Sequence, residues 1–533
     1  MEKTNFIIIF MGDMGYGDMG CYGTKAIRTP VMDQIAANGV KFTDLYSASP
    51  ICTPSRCGLL TGRYPQRVGL PRVLFPKDEE GLTDVEKTIA DCLKEGDYKS
   101  ACLGKWHLGC RPEHYPTRHG FDYYFGLLYS NDMNPLHLYE NKEAIETEVD
   151  QAQLTRRYTD QAISFIQSTH QENTEQPFFI YIAHTMPHIP LYVEPEFRGR
   201  SNAGVYGDTI ECIDYHLGRL MDTLGELRLT DDTLVIVTSD NGPWFEGSTG
   251  GLRGRKFDTY EGGMRMPCVA QYPRLILPGS VCTSPASQMD FLPTFLTLAG
   301  LDQPSNRVID GLYILPLIKG KSMPERPLYY LRGTDLNALR LGKWKLQIAE
   351  GSGKGRRKPE KPPLIDLEID PYKSYDLSDE HPKRVSDMTE MMQAFDREVK
   401  EESGLPLTDI WCFWLFRLPF YNQRYLRQRT KTLLANKKSI QMNLEVLLLK
   451  VKCRMIAITQ NSQKGLLKWS QMLRIEAHQG IILKTPCLPF RGHWKLASMR
   501  SKLTCILAEM DSWLPCTIQP STERQTAQVQ SPI

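Results

Sequence analysis

Four apolar runs in this chain stop abruptly at short polar motifs. "FIIIF" (6–10) leads into "MGDMGYGD", "SACL" (100–103) into "GKWHLG", "FFIYIA" (178–183) into "HTMPHIP", and "TLVIVT" (233–238) into "SDNG". Each run is short, and all but "SACL" are rich in β-branched or aromatic residues, the pattern of a strand buried on both faces. Helix-like segments separate them. "TPVMDQIAANG" (29–39) offers Thr29 as N-cap, Pro30 at the first helical position and Gly39 as terminator. "TIADCLKEG" (88–96) reads as the end of another helix, and "TIECIDYHLGRLMDTLGEL" (209–227) puts Ile213, Leu217, Leu220 and Leu224 on one helical face. Strands alternating with helices predict an α/β fold: a large mixed, mostly parallel sheet flanked by helices. Such sheets bind ligands beyond the carboxyl ends of their strands. All four polar motifs fall there.

At 533 residues the chain exceeds the size at which one core stops growing, so a large domain with a smaller companion is expected. Apolar content of 41% and charged content of 24% exclude a disordered or fibrous chain. No stretch of 18 apolar residues suggests a membrane span, and "MEKTNFIIIF" reads as a first strand and not as an export signal. The 14 cysteines form no CxxC pair and no Cys/His cluster at zinc spacing, which favours free, packed thiols. From about Pro327, "LYYLRGTDLNALRLGKWKLQIAE" and "PLIDLEIDPYKSYDLSDEHP" predict short antiparallel strands, interrupted by a basic loop at 351–363. The expected organisation is a catalytic domain over 1–326, a smaller antiparallel α+β unit over 327–405, and a basic tail over 406–533. From Trp411 onward, 19 Lys plus Arg face 5 Asp plus Glu. Two readings of the tail stay open: a basic membrane-surface or partner segment, or a poorly ordered extension.

The sharpest local signal is "CTPSRCGLLTGR" (52–63). A cysteine three residues before a Ser-Arg pair, at the start of a helix, fits neither a disulfide nor a zinc site. The stretch resembles the sulfatase signature C-x-P-S-R followed by L-L-T-G-R. "GKWHLG", "HTMPHIP", "SDNGPW" and "LRGRKFDTYEGGMRMP" resemble further blocks of that family, in family order. The likeness covers roughly residues 5–380 and is strongest to arylsulfatase A-type enzymes. It implies an alkaline-phosphatase-like fold and hydrolysis of sulfuric esters of carbohydrates or aryl alcohols. It also implies a separate formylglycine-generating enzyme that oxidises Cys52 to formylglycine. The hydrated aldehyde presents two hydroxyls, one to attack sulfur and one whose deprotonation later expels sulfate.

The resemblance implies roles for other residues. Asp13, Asp240 and Asn241, with the modified Cys52, match ligands of calcium, or sometimes magnesium. Lys105 and Lys256 match lysines that hold sulfate oxygens, and Arg56 supports position 52. His107 matches the base that deprotonates the hemiacetal and His188 the acid for the leaving alcohol. Ser130 of "YSND" is a further sulfate contact, and His184 a supporting residue. One departure stands out: Gly12 occupies the place of the first aspartate in the family's "DDxGYGD", which removes one carboxylate from the metal set. A catalytically impaired protein that binds sulfated ligands is therefore the alternative reading. The expected partners are a sulfated small molecule or glycan and the maturation enzyme, with no nucleic acid. The family is typically exported or lysosomal.

Overall fold

The structure, a computed structural model, describes residues 3–402 apart from 320 and 322. The basic tail over 406–533, and the readings attached to it, lie outside the described residues. Eleven strands form the large sheet: β1 (Asn5–Met11), β2 (Val40–Tyr46), β3 (Lys99–Lys105), β4 (Tyr123–Leu127), β5 (Leu138–Glu140), β6 (Glu143–Glu146), β7 (Phe178–Ala183), β8 (Thr233–Ser239), β9 (Arg265–Gln271), β10 (Ser280–Cys282) and β11 (Ala286–Ser287). Four more make a small sheet: β12 (Pro327–Arg332), β13 (Asp335–Leu341), β14 (Trp344–Gln347) and β15 (Leu364–Asp366).

The large sheet runs β10-β2-β9-β8-β1-β7-β3-β4-β5-β6, with β11 beside β2. β8, β1, β7, β3 and β4 are mutually parallel. β9 runs antiparallel to both β8 and β2, and β5 and β6 extend the far edge antiparallel. The expected mixed, mostly parallel sheet is thus observed. The "FIIIF" run becomes the central strand, with every residue of β1 buried. Its alternation divides the core. Phe6, Ile8 and Phe10 face one layer, packed by Leu59 and Leu60 of the Cys52–Thr61 helix and by Phe291 and Phe295. Ile7, Ile9 and Met11 face the other, packed by Tyr158 of the Leu154–Glu172 helix and by Ile213, Leu217, Leu220 and Leu224 of the Gly204–Glu226 helix. Each such side chain contributes roughly 1.5–3 kcal/mol by leaving water, so the centre of the sheet is a rigid platform.

One local expectation is corrected. The Pro30–Ala37 helix has Thr29 at its N-cap and ends with Gly39 just past the C-cap Asn38, as expected, but the Thr29 side chain makes no capping bond. Thr29 Oγ1 instead accepts from Gly20 N and donates to Asp33. The free N–H groups of Val31 and Met32 go to Asp214 of the neighbouring helix, at 3.1 and 2.8 Å.

The small sheet is antiparallel throughout. The Pro382–Glu402 helix covers it, burying Met388, Met392, Phe395 and Val399 against Leu339, Leu346 and Leu364. Buried ion pairs tie it to the rest of the molecule: Arg340 to Asp44 of β2 at 2.6 Å and Lys345 to Glu261, in the short helix before β9, at 2.7 Å. The nine described cysteines are free thiols, seven of them buried.

Candidate active site

The carboxyl ends of β1, β3, β7 and β8 converge as expected, and with them Asp13, Lys105, His107, His188, Asp240 and Asn241. Asp13 follows β1 in the left-handed backbone region, φ 65°. Its amide donates to Asp240 Oδ1 at 3.0 Å. Its carboxylate accepts from Asn241 Nδ2 and from Lys256 Nζ, each at 2.7 Å. The first residue of the Cys52–Thr61 helix is Cys52 itself, which sets its side chain beside the unpaired N–H groups of the helix start.

The structure explains the Ser-Arg pair one turn on. Ser55 Oγ donates to the Asp240 carbonyl. Arg56, fully buried, donates to Asp240 Oδ2 at 2.7 Å and to the Lys105 carbonyl at 2.9 Å. The two side chains rivet the helix to the ends of β8 and β3, and so fix position 52 relative to both.

The side chain present at 52 is a thiol, standing where the aldehyde-derived hydroxyls of formylglycine would be. Burial alone would push it up, but Lys105, Lys256 and a hydrogen bond with His188 hold it well below the usual thiol range. The site therefore stabilises negative charge at this position. The two lysines differ. Burial draws Lys105 down, only partly offset by Cys52. Its ammonium, fully buried, makes no ion pair among the described residues and donates to Ser130 Oγ at 3.0 Å. Burial opposes the charge of Lys256 as well, but Cys52 and Asp13 more than compensate and hold it above its ordinary range.

The histidines have distinct settings. His107, at φ 58°, has its Nε2 2.9 Å from the Leu74 carbonyl. A carbonyl only accepts, so Nε2 carries the proton and Nδ1 is a bare acceptor, buried and without a partner. Burial and the Lys105 charge hold this ring neutral. His188 Nδ1 donates to the Ile189 carbonyl at 2.5 Å, leaving Nε2 3.7 Å from Asp13 Oδ2. His184 lies against the Tyr158 ring, and burial pushes it down to about 3.

The donor set fits a hard cation. Asp13 and Asp240 supply carboxylates, and Asn241 Oδ1 is a buried oxygen with no hydrogen-bond partner. One ligand atom each from Asp13, Cys52 and His188 also lies within 4.8 Å of the others. His188 thus borders the group, which the motif alone did not suggest. The set is poor in charge: Gly12 adds no carboxylate, and Lys256 and Arg56 already neutralise the two that exist. A second cluster, Glu194, Cys212 and His216, is closed by its own bonds. Arg219 lies 3.0 Å from His216 Nδ1, while His216 Nε2 and Cys212 both donate to Glu194.

Sequence reasoning missed two groups. Leu74 acts through its carbonyl and has no side-chain signal. Gln288, fully buried, donates to the Ser239 carbonyl at 2.6 Å under the Ser55 hydroxyl. Nothing in the mixed polar and apolar stretch "SPASQMDFLPT" around it marked it out.

A sheet of this topology, with an anion-stabilising position held at its strand ends and a small antiparallel sheet beside it, defines an alkaline-phosphatase-like α/β enzyme. The sulfatase family model matches residues 4–301, and the chain belongs to that family and is a sulfatase. It is 40% identical over 374 residues to the N-acetylgalactosamine-6-sulfatase of Canis lupus familiaris, a match covering 64% of this chain and 71% of that one. With the arylsulfatase A of Homo sapiens it shares 36% over 429 residues, 70% of this chain and 83% of the other. Among solved structures, Ps i-CgsB in complex with k-i-k-neocarrahexaose superposes with a TM-score of 0.68 at 28% identity, covering 76% of this chain and 99% of that one.

Proposed function

We propose that the chain hydrolyses a sulfate ester on a carbohydrate, through formylglycine at position 52 and with a divalent cation, calcium or magnesium, held by Asp13, Asp240 and Asn241. The observation that carries this reading is the buried Lys105 ammonium, which makes no ion pair among the described residues. A buried charge without a partner is costly, and a sulfate group supplies the missing anion. When bound, the cation would polarise a sulfate oxygen. Lys105 and Lys256 hold the other oxygens, with Ser130 orienting Lys105. Arg56 and Ser55 keep position 52 in line with the sulfur.

His188, anchored through Nδ1, protonates the departing sugar oxygen from Nε2 when the ring carries protons on both nitrogens, a charged form in which Nε2 faces Asp13 Oδ2 at 3.7 Å. His107 Nδ1, neutral and unpartnered, accepts the proton whose removal releases sulfate. The carbohydrate preference draws on relatives whose names specify an amino sugar or a complex with k-i-k-neocarrahexaose.

The test is to produce the chain together with a formylglycine-generating enzyme and follow two readouts. Peptide mass analysis should show the aldehyde at position 52, and sulfate release should vanish in Cys52→Ala. High activity in a protein that carries only thiol there would refute the mechanism.

A further inference from the structure

The hydrogen bonds that close the Glu194, Cys212 and His216 cluster draw three metal-binding groups of different chemistry towards one point. Cys212 and His216 stand at i and i+4 on the Gly204–Glu226 helix, so they project from the same face. Glu194 meets them from the segment that follows β7 and carries His188. All three residues are buried, at most 2% exposed. Glu194 Oε1 accepts from both partners, from His216 Nε2 at 2.7 Å and from Cys212 Sγ at 3.4 Å. One ligand atom from each residue lies within 4.8 Å of the other two. Val193 and Phe197 pack with Cys212, and the Phe197 ring lies 6.1 Å from that of His216, which shields the group with apolar surface.

Burying these groups without a cation is costly. Burial and the Glu194 charge both push the Cys212 thiol up, so it keeps its proton. Besides His216, the ion pair that Glu194 makes among the described residues is with Arg156, half exposed and 3.8 Å from Oε2. A divalent ion removes the imbalance, since one thiolate and one carboxylate neutralise it. The imidazole, which burial holds below its ordinary range and therefore neutral, adds an uncharged third ligand. The spacing suits a small tetrahedral ion. Bonds of about 2.0–2.3 Å set sulfur, nitrogen and oxygen ligands about 3.4–3.6 Å apart. The separation of Sγ from Oε1 already has that value, and Nε2 needs to withdraw from Oε1 by only about 0.7 Å to reach it.

We propose that Glu194, Cys212 and His216 form a second metal site, for zinc or a similar divalent transition ion, which ties the segment carrying His188 to the long helix. Its mixed sulfur, nitrogen and oxygen donors separate it from the oxygen donors of Asp13, Asp240 and Asn241, which suit calcium or magnesium. On binding, the thiol proton leaves to solvent and the imidazole proton moves from Nε2 to Nδ1. Arg219, which donates to Nδ1 at 3.0 Å, then turns wholly to Asp160, which it already holds at 2.8 Å. Three protein ligands leave a fourth position for water.

The test uses the full-length Cys52→Ala chain, which lacks the thiol of the other candidate metal group, stripped with a chelator and titrated with Co²⁺ in place of spectroscopically silent zinc. One equivalent should produce a thiolate-to-cobalt charge-transfer band in the near ultraviolet, together with the strong visible bands of four-coordinate cobalt. Zn²⁺ should then bleach both and raise the melting temperature, while calcium should leave the spectrum unchanged. Adding Cys212→Ser should abolish the charge-transfer band. Adding His216→Gln keeps a neutral donor towards Glu194 but removes the nitrogen ligand, and should weaken cobalt binding by at least about tenfold, the loss that removing even a supporting group brings. The glutamine variant keeps the test decisive if the serine variant melts early. No band in the parent chain, a band that persists in Cys212→Ser, or unchanged affinity in His216→Gln overturns the proposal.

Discussion

Single side chains divide the labour of the site, and each can be removed on its own. His188→Ala should cost 10²- to 10⁴-fold in kcat/KM on a sugar sulfate, whose leaving oxygen needs a proton, and little on nitrophenyl sulfate, whose leaving group does not. Steady-state rates on the two substrates check this, and an equal loss on both would remove His188 from the acid role. Gly12→Asp tests the sparse cation set. Gly12 does not adopt a left-handed φ, so backbone strain is not the obstacle. The obstacle is room: a Cβ there would lie 3.1 Å from the Thr185 carbonyl oxygen and 3.4 Å from His188 Cβ. An added carboxylate should tighten calcium binding by on the order of tenfold, at the expense of a lower melting temperature as the turn after β7 gives way. Calorimetric titration and thermal melts read the two effects separately. At this scale the sequence was most legible where a motif is contiguous. The Cys-x-Pro-Ser-Arg run announced Cys52, Ser55 and Arg56 together, because all three act from one helical turn. It could not announce Leu74, whose role belongs to its backbone.

The elements tell a similar story. The apolar runs identified the central strands because burial on both faces leaves no room for polar residues, and the antiparallel character of β12 to β15 followed from their short, turn-separated spacing. Which group caps the Pro30–Ala37 helix was not legible, since Asp214 lies far away in the chain and reaches it only through packing. That contact yields a pH prediction. Burial raises the Asp214 carboxyl to about 7, against the opposing pull of the Val31 and Met32 amides. A carboxyl raised on folding favours the folded state below its unfolded value near 4, and that contribution is lost as pH climbs through about 7. Asp214→Asn keeps one carbonyl acceptor and cannot ionise. It should cost about 1 kcal/mol at pH 4, where an amide loses its partner, and the deficit should shrink towards neutral pH. Melting temperatures of both proteins across that range would show a constant gap if Asp214 does not titrate there.

For the whole molecule, the question is how much of the chain the site needs. The site residues lie between Asp13 and Lys256, and the small sheet is closed by the helix ending at Glu402. Cutting the chain after about residue 406 should therefore leave melting temperature and sulfate release nearly unchanged. Cutting before Glu398 should not, because Arg67 would keep only Asp310 and lose Glu398 and Glu402, and the small sheet would lose Val399 from its core. Losing two partly exposed partners in this way costs on the order of 1 kcal/mol, and a melt of the two truncated proteins separates the cases. The order of strands carries a further consequence for how the protein is made. β1 is built first, yet its neighbours are β7 and β8, so the middle of the sheet has to wait for the ribosome. At ordinary synthesis rates the stretch from Cys52 to Asp240 takes roughly ten to forty seconds to emerge. Until then Arg56 has no Asp240 to grip, and the thiol that ends up only 2% exposed lies open on a nascent chain. Any enzyme that must oxidise it has that interval in which to act, and translation speed sets its length.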